Sequence, residues 1–172
     1  MKKIISKETK SALMKLGIYQ IIGGAIGMLI ILGSILGTPL LTGLTVLLYL
    51  FILLFFLYSI FCGVLCLKAK KKALHHSLAN QILQVFGFAM IGFAFKYIAG
   101  LYLTIGLNLT DSFQFSFGAG VSSFNFNFNN EKERIELDFN IIALVLIFWI
   151  DTLMKKVKAE TAIRQENSIS NL

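Results

Sequence analysis

The chain has 172 residues, 56% of them hydrophobic, with 16 phenylalanines and a mean hydropathy of +0.77. A water-soluble globule of this size cannot bury so much apolar surface. The formal charge of +7 would suit nucleic acid, but the basic residues flank apolar blocks and form no patch or stripe. That distribution excludes a nucleic-acid partner and follows the rule that keeps Lys and Arg on the cytoplasmic side of a membrane.

Residues 1–15 carry Lys2, Lys3, Lys7, Lys10 and Lys15. The apolar run 16–36 that follows has the ~20 residues a bilayer helix needs. No small-residue cleavage site follows it, so a retained first span is expected and not a signal peptide. Gly23-x-x-x-Gly27 and Gly33-x-x-x-Gly37 strip side chains from one helix face, a pattern that serves close packing within the chain or homodimerisation. Gly37-Thr38-Pro39 ends the run, with Thr38 placed to cap the next helix and Pro39 placed to open it. A second span is expected over 39–67, roughly 42 Å long and therefore tilted or emergent at one end. Its Cys62 and Cys66, the only cysteines, lie one turn apart and read as buried apolar thiols without a bridge.

Lys68, Lys70, Lys71 and Lys72 form a short basic loop that would meet anionic lipid heads at the inner face. The adjacent His75 and His76 diverge around a helix and do not suit one metal ion. The block 82–107 predicts a third span, and 137–154 a fourth that returns the chain to Lys155, Lys156, Lys158 and Arg164. The three inner segments hold five, four and four basic residues, against Lys132 and Arg134 alone in the outer loop 108–136. Both tails, 1–15 and 155–172, are therefore expected in the cytoplasm, in a multi-pass protein of the plasma (inner) membrane.

The expected fold is all-α: a single-domain four-helix transmembrane bundle with a small extracytoplasmic β-hairpin between helices three and four. The hairpin rests on period two, because Phe113, Phe115 and Phe117, then Phe124, Phe126 and Phe128, alternate with small or polar residues. A type II′ turn at Gly120-Val121 would set all six rings on one face, ready for the outer helix ends, lipid headgroups or a partner. The layout of four spans with its larger outer loop between the last two is similar to that of tetraspanins. Their outer cysteines are absent here, so no function is carried over.

Lys96 is the most informative residue, because a charge well inside an apolar block costs ~2.5–3.5 kcal/mol on insertion scales and marks a functional or structural site. Gly92 and Gly100 lie four residues to either side, on a stripe that lets another helix approach. If Leu107 is level with Asp138, Lys96 comes close to Asp151. If Ile82 is level with Lys155, it lies instead beside Asn140. Both registers remain open. With no catalytic, cofactor or metal signature, the expected role is a non-catalytic interaction or accessory protein, working on lipid, a protein partner or a second copy. The alternatives are a small-solute transporter or channel subunit using Lys96 and, more remotely, a membrane-embedded enzyme.

Overall fold

A computed structural model describes residues 5–37, 42–70, 72–110, 112–128 and 135–169, excluding the side chains of 126–128, 164–165 and 167–169. Thr38, Pro39, Lys71, Asp111 and the 129–134 segment fall outside that description. Among the described residues the chain runs α1 (Lys7–Leu36), α2 (Gly43–Leu67), α3 (Ala73–Ile82), β1 (Phe86–Met90), β2 (Phe93–Asn108), β3 (Gln114–Phe128), β4 (Glu136–Asn140) and α4 (Ile141–Ile169). The expected all-α four-helix bundle is thereby overturned. The block 82–107 is strand for most of its length, and 137–154 divides at Asn140 into strand and helix.

The third block is a sheet because its large side chains repeat every second residue. Phe86, Phe88 and Met90, then Phe93, Phe95 and Tyr97, then Leu101, Leu103, Ile105 and Leu107 alternate with Gly, Ala, Thr, Lys and Asn, Tyr102 being the exception. Period two suits a strand and defeats a helix, where the same residues would scatter over every face.

α1, α2 and, from Ile141 on, α4 are read correctly as helices, and α1 and α2 are long and apolar enough to cross a membrane. About 28% and 33% of their most apolar stretches are buried within the protein. Ser6 caps α1 and Thr42 caps α2, each side-chain oxygen accepting from the N–H three residues on. The α1 cap is itself held by α4. Glu160 accepts from the Ser6 N–H at 2.9 Å, from the Ser6 hydroxyl at 2.7 Å and from the Thr9 hydroxyl at 2.8 Å.

Partial burial pushes the Glu160 carboxyl up, but those hydrogen bonds and the charge of Lys156 outweigh it and leave the group below the usual glutamate range. A carboxylate lowered on folding stabilises the fold above its unfolded pKa, and the contribution is lost as pH falls through the folded value. Amide protection factors at Ser6–Lys10, which remove the intrinsic pH dependence of exchange, are therefore expected to fall below about pH 4. Glu160→Gln should abolish that pH dependence.

The sheet is antiparallel, in the order β1-β4-β2-β3, with β1 also paired to β2. β3 follows one edge of β2 from Phe93↔Phe128 to Asn108↔Gln114. The other edge of β2 receives β1 at Phe93–Phe95 and β4 at Thr104–Asn108. Both run antiparallel to β2, yet β1 and β4 are also antiparallel to each other. That is satisfied only if β2 bends back on itself. The bend lies where the β2–β3 register shifts between Ile98 and Leu101, beside Gly100 at φ +123° and Ser122 at φ +50°.

The expected hairpin inside 113–128 is also overturned, because those residues fall almost wholly in one continuous strand. Ala99 and Gly100 of β2 lie opposite Ser122 alone, whose left-handed φ shifts the alternation of β3 by one. Phe113, Phe115, Phe117 and Phe124 therefore still share a face, without a turn between them.

β1 and β2 join through a two-residue turn with positive φ at both Ile91 (+52°) and Gly92 (+76°), the type I′ geometry. A β-branched residue is strained there, and Ile91 is 85% exposed, so it gains nothing from burial. Ile91→Asn is expected to raise stability by about 1 kcal/mol in equilibrium unfolding.

Two cores hold the elements together. One gathers Leu13, Leu16, Cys66, Leu74 and Ile150 from all four helices. The other packs Ile31, Ile52 and Phe56 of the α1/α2 hairpin on Tyr97 and Ala99 at the bend of β2. In the second, Tyr97 donates to the Phe55 carbonyl at 2.8 Å, so its ring fills the core while its hydroxyl is satisfied.

Candidate functional site

Register sorts the sheet residues onto two faces. Gly87, Ala89, Ala94, Lys96, Thr104, Gly106, Asn108, Glu136, Asp138 and Asn140 fall on the face enclosed by the curl. Phe86, Phe88, Phe95, Leu101, Leu103, Ile105, Leu107, Leu137 and Phe139 fall on the outer one. Apart from the Tyr102 ring the enclosed face is polar or small, and the outer face is apolar.

Within the curl the Lys96 ammonium donates to Asp138 Oδ2 at 2.7 Å, the two side chains being 22% and 26% exposed. The Tyr102 ring lies 5.7 Å from the same ammonium, close enough for a cation–π contribution. Asn108 donates to Glu136 at 3.1 Å. A cavity of about 30 Å³ lies between Phe88, Phe95, Lys96, Asn125, Glu136 and Asp138. It has room for about two waters and nothing larger. A Cβ at Gly87 would come within 3.1 Å of the Lys96 stem, and one at Gly106 would meet the Asp138 carboxylate and the Ser116 hydroxyl. The glycines make room for the ion pair.

A second polar group lies where α1, α2, α3 and the bend of β2 meet. The Ser77 hydroxyl donates to Gln20 Oε1 at 3.0 Å, Asn80 donates to the Ser59 hydroxyl at 3.2 Å, and the Ala99 N–H donates to Gln84 Oε1 at 2.9 Å. Gln20 Nε2, Gln84 Nε2 and both amide atoms of Gln81 are buried without a protein partner. Such amides hold elements in one arrangement, because any shift leaves further polar atoms unpaired.

Lys96 therefore meets Asp138 and neither residue considered from the sequence. Asp151 pairs with Lys155 one turn on at 2.7 Å, on the exposed side of α4. Asn140 caps α4, its Oδ1 accepting from the Ile142 N–H at 3.2 Å and the Ala143 N–H at 3.4 Å. Asp138 was missed because helical spacing was applied to a strand. The alternation Glu136-Leu137-Asp138-Phe139-Asn140 is the signal that could have found it.

Of the glycines singled out, Gly23 meets the backbone of Ala99 and Gly100, and Gly27 lies under the Phe56 ring. Gly33 has nothing near it, and Gly37 meets only carbonyls of its own helix. Gly92 serves the β1–β2 turn, and Gly100 sits at the bend under Tyr19. The close approach of α1 to α2 uses Gly17, Gly24 and Gly63 as well, which stand outside the Gly-x-x-x-Gly spacing. Phe113, Phe115 and Phe117 are exposed, whereas Phe124 lies half-buried against Phe95. The side chains of Phe126 and Phe128 lie outside the described residues.

Cys62 and Cys66 are free and buried. Among the described residues no three His, Cys, Asp or Glu side chains converge to hold a metal. No family model, curated protein or solved structure matches the chain.

Proposed function

We propose that the chain is a membrane-embedded, non-catalytic interaction protein that works through its outer surface. The observation that carries this is the inverted polarity of the sheet. Its enclosed face holds the Lys96–Asp138 ion pair and the Asn108–Glu136 hydrogen bond, while Leu101, Leu103, Ile105, Phe113, Phe115, Phe117 and Val121 stand exposed outside. Apolar-out and polar-in is how strands are built when hydrocarbon, not water, surrounds them. Continuity with the exposed apolar faces of α1 and α2 supports the same reading.

In this arrangement α1 and α2 cross the bilayer with their Lys-flanked ends in the cytoplasm. α3 and the first half of α4 accompany them through the inner leaflet, and the curled sheet fills the outer one. The bend at Gly100 touches Gly23 near the middle of α1. From there one arm of β2 leads to the turn at Ile91-Gly92 and the other to Asn108 and the polar residues that follow it. The chain thus reaches the outer surface twice after α2, by helix-plus-strand passes instead of whole helices.

A transport pathway centred on Lys96 is the weaker reading, because its cavity admits only water and its ammonium is already paired with Asp138. The test is the depth of the sheet. With Trp149→Phe as background, a tryptophan introduced by Phe117→Trp should be quenched by lipids brominated on their acyl chains, in vesicles of phosphatidylcholine and phosphatidylglycerol. A chain that stays in detergent-free buffer, with an unquenched tryptophan, would sink the proposal.

A further inference from the structure

β3 is the one described strand with a single neighbour. β1 pairs with β2 and β4, β4 with β1 and β2, and β2 with β3 on one edge and with β1 and β4 on the other. The other unpaired edges among the described strands are short, residues 96–103 across the bend of β2 and Phe86–Gly87 of β1. Its outward N–H and C=O groups can be completed only from outside the described fold.

Natural sheets protect such an edge with charge, proline, a bulge or a covering element. The sequence from Gln114 to Phe128 has no charged residue and no proline. The bulge at Ser122 and the cover from α1, where Ser122 donates to the Gly23 carbonyl at 2.8 Å, protect only the far half. From Gln114 to Phe117, and again at Ala119 and Val121, the near half is exposed. If this half lies among lipid chains, which rests on the function proposed above, water cannot satisfy those groups and another strand must.

We propose that the occupant is a second copy of this chain, its β3 seated antiparallel on the first across a two-fold axis at Gly118. The sequence complements itself in that register. Phe117 faces Ala119, Phe115 faces Val121, and Ser116 faces Gly120, so each larger side chain meets a smaller one and each face keeps its polarity. A two-fold placed between residues would set apolar positions against polar ones, which the alternation forbids. Two-fold pairing is isologous and closes on itself, giving one sheet with four strands from each copy and no growing fibre.

The experiment uses the full chain in phosphatidylcholine and phosphatidylglycerol vesicles, with Cys62→Ala and Cys66→Ala so that only introduced thiols react. A chain carrying Phe117→Cys, mixed with one carrying Ala119→Cys, should form a mixed disulfide on mild oxidation. Ser116→Cys mixed with Ala119→Cys, on opposite faces, should give about tenfold less. The unaltered protein should have twice the 19.2 kDa chain mass after correction for lipid or detergent. Ala119→Lys, which places a charge on the edge, should return it to monomer while its circular dichroism is unchanged. Equal cross-linking of the two cysteine pairs, or a monomeric mass for the unaltered chain, overturns the pairing. A monomer that partitions into vesicles refutes the second copy and leaves the membrane reading standing. Pairing without partition does the reverse.

Discussion

Gly23→Leu is expected to pull the sheet away from α1 and to cost about 3 kcal/mol, at the upper end of what overpacking a core does. A Cβ at position 23 would lie 2.5 Å from the Gly100 nitrogen and 2.6 Å from the Ala99 carbonyl carbon and the Gly100 Cα. All three are backbone atoms, so no side-chain rotation relieves the clash. The neighbourhood cannot slide either. Ser122 Oγ accepts from the Gly100 N–H at 3.1 Å while donating to the Gly23 carbonyl at 2.8 Å, and Tyr19 donates to the Leu101 carbonyl at 3.1 Å. Moving β2 outward by one side-chain radius breaks these bonds as well, each worth about 1 kcal/mol. Gly33→Leu is the matched control, since nothing approaches Gly33 within 4 Å, and its effect should stay within about 0.5 kcal/mol. Unfolding in mixed micelles would read both. Equal losses would show that the sheet is not seated on α1 at Gly23.

That contact also shows what the sequence could and could not say. Gly23 was legible as a place of close approach, because a bare helix face admits a neighbour whatever the neighbour is. That the neighbour is a bent strand was not legible from the helix. The clue lay in 86–108, where Gly and Ala fill the positions between large side chains. Their neutral hydropathy leaves the average high, so the block passes for a span although its period is two. The turn at Ile91-Gly92 was hidden in the same way, since an isoleucine is an unexpected occupant of a left-handed position. In 113–128 the strand period was read correctly, but Gly118–Ser123 looked like a turn. The bulge at Ser122 and the long pairing with β2 keep it extended. α1 and α2 were readable as helices because α1 from Leu16 on, and α2 throughout, is apolar on nearly all sides. The start of α1 at Lys7 was not, because Ser6 and Glu160 fix it and a helix need not end where hydrocarbon does. The ion pair was half legible. Lys96 stands out in an apolar block, but its partner depends on strand register across β4, which helical spacing cannot supply.

The consequences of that partner are largest when it is left alone. Lys96→Met strands the Asp138 carboxylate in the curl, and Asp138→Leu strands the ammonium. Each is expected to cost about 2–3 kcal/mol, below the 3–5 kcal/mol of a fully buried pair because both groups keep some access to water. The double variant Lys96→Met with Asp138→Leu should cost less than either single change, since it removes both desolvated charges and fills the space with apolar atoms. A coupling of about 2 kcal/mol between the sites would close the cycle. The same set separates the two readings of the protein. A scaffold that needs the pair only to hold the curl should regain both its fold and its dimer in the double variant. A pathway that moves a charged solute through Lys96 would regain the fold and lose all flux. The first result is expected, because a cavity that holds two waters can hydrate an ion pair but cannot pass a solute.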